Sequence, residues 1–174
     1  YNHADELTEL ARQWQKTHEA IQARMPSWLQ LTRLLQHGAG LSEYASIKAD
    51  ADAIVEQRSL LDDPDPVRPL VERMAAALRQ ALNEKLRACA EAYEQANQEL
   101  QDHSEWRKLD EMQCAELVAR YHLEPPTTPD LSTVDSLLAA LDECSLEHWT
   151  DRINALPTRF DRARHAAVEM VRGD

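Results

Sequence analysis

Glycine is nearly absent from this chain: Gly38, Gly40 and Gly173 are the only three among 174 residues. No glycine-rich turn that cradles a phosphate can be assembled from them, which excludes a P-loop or a dinucleotide fingerprint within these residues. Cysteine is equally sparse. Cys89, Cys114 and Cys144 are odd in number, widely spaced and lack a C-x-x-C pair. They read as reduced thiols of a cytoplasmic protein rather than a disulfide scaffold. Aromatic residues make up 5%, β-branched residues are scarce, and no segment alternates with period two. No strand is therefore expected. No run approaches the roughly 20 consecutive apolar residues that cross a bilayer, and no signal peptide is visible. No membrane partner is expected.

What is present is helical. Hydrophobic residues reach 43%, and alanine, leucine, glutamate, glutamine and arginine dominate. That composition predicts an all-α fold of one domain, with or without a helical extension. The chain is organised around residues 66–102, which form a long run free of glycine and rich in helix formers. Val67, Leu70, Val71, Met74, Leu78, Leu82, Leu86, Cys89, Tyr93, Ala96 and Leu100 recur in steps of three and four. They mark one stripe of a long strut helix. The successive fours from Leu78 to Leu86 break a strict seven-residue repeat, so shorter helices packed along the strut are expected rather than a continuous coiled coil.

In chain order, residues 5–24 carry Leu7, Leu10, Ala11, Trp14, His18, Ile21 and Met25 on one face, and Pro26 is expected to end that helix. A second helix is predicted over 27–37 and closed by Gly38, and a third over 42–60 with Ser42 as its cap. Asp65 and Pro66 open the strut after the turn at Asp62 and Asp63. A fifth helix is predicted over 105–122, capped by Ser104. Pro125, Pro126 and Pro129 then form a stiff connector over 123–130. Three short helices are expected beyond it: one over 134–144, one over 146–156 opened by Ser145, and a last one opened by Pro157. The expected division is thus a bundle over 1–122, the connector, and a small lobe over 131–174.

The formal net charge is −12, which works against binding a polyanion over the whole surface. The charge is uneven. Arg152, Arg159, Arg162, Arg164 and Arg172 face only Asp161 and Glu169 in their segment, leaving it at +3 and the remainder at −15. These five arginines are the candidate contacts to a partner or to phosphate. No catalytic, cofactor-binding or metal-ligating residue is assigned. His165 with Glu169, Glu147 with His148, and Asp102 with His103 lack the converging ligands a zinc site needs. The prolines among Asp62, Asp63 and Asp65 spoil a calcium loop, and a solvated capping turn is the better reading. Trp14, Trp28, Trp106 and Trp149 sit among apolar neighbours and are read as core anchors between crossing helices.

One resemblance emerges at the C-terminal third. Leu117-Val118 and Leu123, the proline-rich connector, and Ser132-Thr133-Val134-Asp135-Ser136-Leu137-Leu138-Ala139-Ala140-Leu141 stand in order. Ser145-Leu146-Glu147-His148-Trp149 and Ala155-Leu156-Pro157-Thr158-Arg159-Phe160 follow, then Ala166-Ala167. This series resembles the C-terminal helical region of the large P-loop ATPases of BREX-type bacterial phage-defence systems, and with the long helix and Trp106 it covers residues 66–172. The resemblance implies a larger AAA-like parent acting with a DNA methyltransferase and other partners against phage DNA. The nucleotide-binding module is absent here, so no ATP-site residue carries over.

The chain starts at Tyr1 and is read as an excised piece of a larger protein, although a processed chain would look the same. The resulting expectation is a helical interaction and assembly module with no cofactor, meeting protein partners of a defence complex or another copy of itself. The alternatives are a nucleic-acid-contacting module that uses the C-terminal arginines, and a helical enzyme.

Overall fold

The computed structural model describes residues 3–173. Among these the fold is all-α, as the composition requires, with no strand. The helices are α1 (His3–His37), α2 (Tyr44–Glu56), α3 (Arg68–Asp102), α4 (Glu111–Tyr121), α5 (Val134–Glu143) and α6 (Leu146–Gly173), with a turn of 3-10 helix at Trp106–Lys108. The expected strut is α3, a helix of 35 residues. Of its expected apolar stripe, Val67, Leu70, Val71, Met74, Leu78, Leu82, Cys89 and Leu100 are buried, while Leu86, Tyr93 and Ala96 are half-buried.

Two expected breaks do not occur. α1 runs through Pro26 and α6 through Pro157. A proline inside a helix forfeits one backbone hydrogen bond and crowds the preceding turn. In α1 the continuity is held from both sides of the proline. Arg24 donates from Nη2 to the Asp62 carbonyl at 2.9 Å, and Ser27 donates from Oγ to the Asp65 carboxylate at 3.0 Å. In α6 the buried face proceeds through Trp149, Leu156, Phe160, Ala163 and Ala167 without losing register, so burial on both sides of Pro157 sustains one helix.

One expected helix is divided instead. Residues 105–122 form the 3-10 turn and then α4, separated at Leu109, whose backbone is extended at φ −76° and ψ 146°. Ser104 caps nothing; its hydroxyl turns to the Glu105 carboxylate at 3.4 Å. Asp110 supplies the cap of α4. Its carboxylate accepts from the Gln113 backbone N–H at 2.8 Å, and the Gln113 side chain accepts from the Asp110 N–H at 3.0 Å. This reciprocal pair satisfies two donors that the helix start leaves open. Ser42 likewise does not cap α2, whose N-cap is Glu43 without a side-chain bond. Ser145 does cap as expected, accepting from the His148 backbone N–H at 3.3 Å, and Thr133 caps α5, accepting from the Ser136 N–H at 3.0 Å.

The chain forms two compact units that cut across the division expected from the connector. The first holds the residues up to Gln80 together with Leu131–Ala139, and the second Ala81–Asp130 with the residues from Ala140 onward. In the first, Leu31, Leu34, Ile47, Met74, Leu78, Leu137 and Leu138 are buried. Polar ties join the same pieces: Arg73 to Asp50 at 2.8 Å, Arg79 to the Leu131 carbonyl at 2.8 Å, and Gln30 to Asp135 at 3.1 Å. The segment 131–139 therefore joins α1 and the start of α3 instead of founding a separate lobe. In the second unit α6 packs on α4 and on the 3-10 turn. Leu82, Trp106, Leu117, Leu141, Trp149 and Phe160 are buried there, with Tyr93 edge-on to Phe160 at 5.8 Å between ring centroids.

Candidate interaction surfaces

The first surface lies on α1. Its N-terminal turns are amphipathic as expected, but the apolar face is turned to solvent. Leu7, Leu10, Trp14, Ile21 and Met25 are 66%, 61%, 70%, 43% and 52% exposed. Trp14 is thus no core anchor, unlike Trp106 and Trp149, and Trp28 is half-buried. The Trp14 and His18 rings stack on one another, 5.1 Å apart and 8° from parallel. That stacking fixes a flat apolar plate on the helix surface. The opposite side is polar and paired within itself: Arg12 to Glu9 at 2.7 Å, and Gln15 to Glu19 at 3.0 Å. The burial of α1 begins only at Leu31 and Leu34.

The second surface belongs to α6 and holds the five candidate arginines, which do not converge. At about 100° per residue, Arg152 and Arg159 share one side of a helix while Arg164 and Arg172 leave from others. Arg152 lies over the Trp149 ring at 4.9 Å, a cation–π contact that orients its guanidinium. Arg152 and Arg159 line a cleft of about 510 Å³ whose far wall is the proline-rich segment. Arg164 pairs instead with Asp161 at 2.6 Å and lines a separate groove with Phe160. Arg162 and Arg172 stand exposed. Arg164 and Arg172 are thereby kept off the side that Arg152 and Arg159 share.

The cleft is electrically mixed, because Glu124 and Glu143 stand with the two arginines. Sequence reasoning missed these carboxylates, since only the fold brings the proline-rich segment to α6. The Cys89 thiol also lines the cleft. Burial pushes its pKa up, and the Arg152 and Arg159 guanidiniums pull the other way with less force. A thiol held protonated is a poor nucleophile. Burial likewise raises the Tyr93 hydroxyl, with the Glu124 charge acting in the same sense. Among the described residues no group of three His, Cys, Asp or Glu side chains could hold a metal ion. His165 turns Nδ1 to the Asp161 carbonyl at 2.7 Å, and His148 turns Nδ1 to the Ser145 hydroxyl at 2.9 Å. Asp65 accepts from the Val67 N–H at 3.0 Å, so it shapes the turn before α3. No helix among the described residues is long and apolar enough to cross a membrane.

Comparison of the chain with protein-family models, with curated proteins and with solved structures finds no match in any of the three.

Proposed function

We propose that this chain is a non-catalytic helical module for interaction and assembly, the docking region of a large AAA-like ATPase in a BREX-type phage-defence system. The observation that carries the docking role is the uncovered apolar row of Leu7, Leu10, Trp14, Ile21 and Met25 on α1. Large apolar side chains in one contiguous line on a protein surface mark a place where something binds. The parent and its setting, a cytoplasmic complex that includes a DNA methyltransferase, rest on the resemblance across residues 66–172. The test is association of the purified chain with itself and with the purified subunits of such a system. Association lost on combining Leu10→Glu with Trp14→Glu is the expected result. Failure to associate with either, or association that those changes leave intact, overturns the docking role.

A second reading, contact with nucleic acid, draws support from Arg152 stacked on Trp149 beside Arg159, since arginine and an aromatic ring together suit phosphate and base. It requires binding that falls steeply with salt and disappears when Arg159, Arg162 and Arg164 are replaced. The leading reading expects no such binding at low ionic strength.

A further inference from the structure

We infer that the exposed face of α1 is closed by α1 of a second copy of this chain, laid antiparallel. The inference rests on the docking role proposed above and names its occupant. Leu7, Trp14, Ile21 and Trp28 follow one another at intervals of seven; of the positions three residues later, Leu10 and Leu31 are apolar and Thr17 and Arg24 are polar. One apolar series at that interval, with Leu10 beside it, gives a narrow seam of the kind along which two helices pack. The seam leaves its own unit open from Leu7 to Ile21 and enters the core at Leu31, which is 1% exposed.

The occupant follows from charge and area. The positions flanking the seam are Ala11, Gln13, His18, Ala20 and Met25, with Glu6 as the one charged exception. Glu9, Arg12, Lys16 and Glu19 all lie on the far side. Arg24, the one charge within the seam, is turned to the Asp62 carbonyl of its own chain, so two identical antiparallel helices meet without opposed like charges, although each chain carries −12 overall. A bilayer is the poorer fit. Interfacial helices carry an excess of lysine and arginine on the polar face, whereas residues 3–25 hold Asp5, Glu6, Glu9 and Glu19 against Arg12, Lys16 and Arg24. Five large apolar side chains from each copy, a tryptophan among them, remove on the order of 1,000 Å² from water, the lower bound for a specific interface between proteins.

Orientation follows from side-chain bulk. A parallel pair sets Trp14 against Trp14 of the copy. An antiparallel pair sets Trp14 against the small Thr17 and Leu10 against Ile21, and places the folded bodies at opposite ends of the seam. The arrangement is a two-fold contact in which the same patch serves both copies.

The experiment is sedimentation of the whole chain over a wide concentration range, beside the Leu10→Glu/Trp14→Glu variant, with chemical unfolding of both as a check that the buried cores are intact. The expected result is a twofold mass for the natural chain, a single mass for the variant, and equal unfolding midpoints at protein concentrations low enough to dissociate the pair. A chain that stays monomeric overturns the inference, as does a dimer that survives both charges, or a monomer that binds lipid vesicles through α1. A monomer that still joins a purified defence-system subunit through Leu10 and Trp14 overturns the second copy alone and leaves the docking role standing. Efficient oxidative cross-linking of Leu7→Cys to itself overturns the antiparallel arrangement, which keeps the two copies of residue 7 about 26 Å apart along the seam.

Discussion

A β-carbon placed on Gly38 would lie 1.7 Å from Cε of Met74. Gly38 therefore does more than terminate α1. Its backbone N–H returns to the Leu34 carbonyl at 3.0 Å, and its missing side chain leaves room for a methionine that is itself fully buried. The close approach of this loop to α3 is what seats α3 on the end of α1 within the first unit.

Replacing Gly38 should therefore cost stability by overpacking. Gly38→Ala forces the flexible end of Met74 aside and presses on the Leu34 carbonyl at 3.3 Å; it should cost about 1 kcal/mol, whereas Gly38→Val should cost up to about 3 kcal/mol. Urea unfolding of the two variants beside the natural chain measures both. Equal stability in all three would mean that the glycine is not needed there.

One substitution at two leucines should separate core from surface. Leu117→Ala empties a site that is 0% exposed and should cost about 2–5 kcal/mol. Leu10→Ala, on the open face of α1, should change monomer stability by less than about 0.5 kcal/mol. Denaturation at low protein concentration, where any pairing of copies is dissociated, gives the comparison.

The cap of α4 is a third point of test. Asp110→Ala removes the acceptor for the Gln113 N–H and should cost about 1 kcal/mol. Asp110→Asn and Asp110→Ser should retain most of the stability, because each keeps an acceptor oxygen at the same place. A loss as large with serine as with alanine would assign the effect to charge rather than to capping.

Stability should decline at alkaline pH, in part through Cys89. Burial raises this thiol's pKa above its ordinary 9.0, so the folded chain keeps a proton that the unfolded chain releases. Its contribution is fully present below the ordinary value and is lost as pH climbs through the folded value. Cys89→Ala should flatten the fall of the urea midpoint above about pH 9. Some slope should remain, since Cys114 and Tyr93 are shifted in the same direction.

Much of the architecture was legible in residue spacing, and the departures have local reasons. The stripe of α3 could be read from Val67 to Leu100 because it repeats over many turns. The face of α6 could have been followed through Pro157, since Trp149, Leu156, Phe160, Ala163 and Ala167 stay in register across it. Asp110 and Gln113, three apart, carry the signature of a capping box, and that local pair rather than Ser104 starts the helix. The continuity of α1 through Pro26 was not legible, because it depends on Arg24 and Ser27 reaching residues 62–65. Nor was the fate of the arginines, which a count places together and a helix spreads around its axis.

Local chemistry determined that this chain would be helical, where its helices are richest in apolar contacts, and that no glycine-rich phosphate loop lies within it. Those properties reside in side chains a turn or two apart, and they need no distant partner. Tertiary structure alone decided that residues 131–139 would join the first unit, that Glu124 would stand opposite Arg152, and that Trp14 would face solvent while Trp106 and Trp149 were covered. Periodicity identifies which face of a helix is apolar. Whether anything comes to lie on that face depends on contacts between residues far apart in the chain.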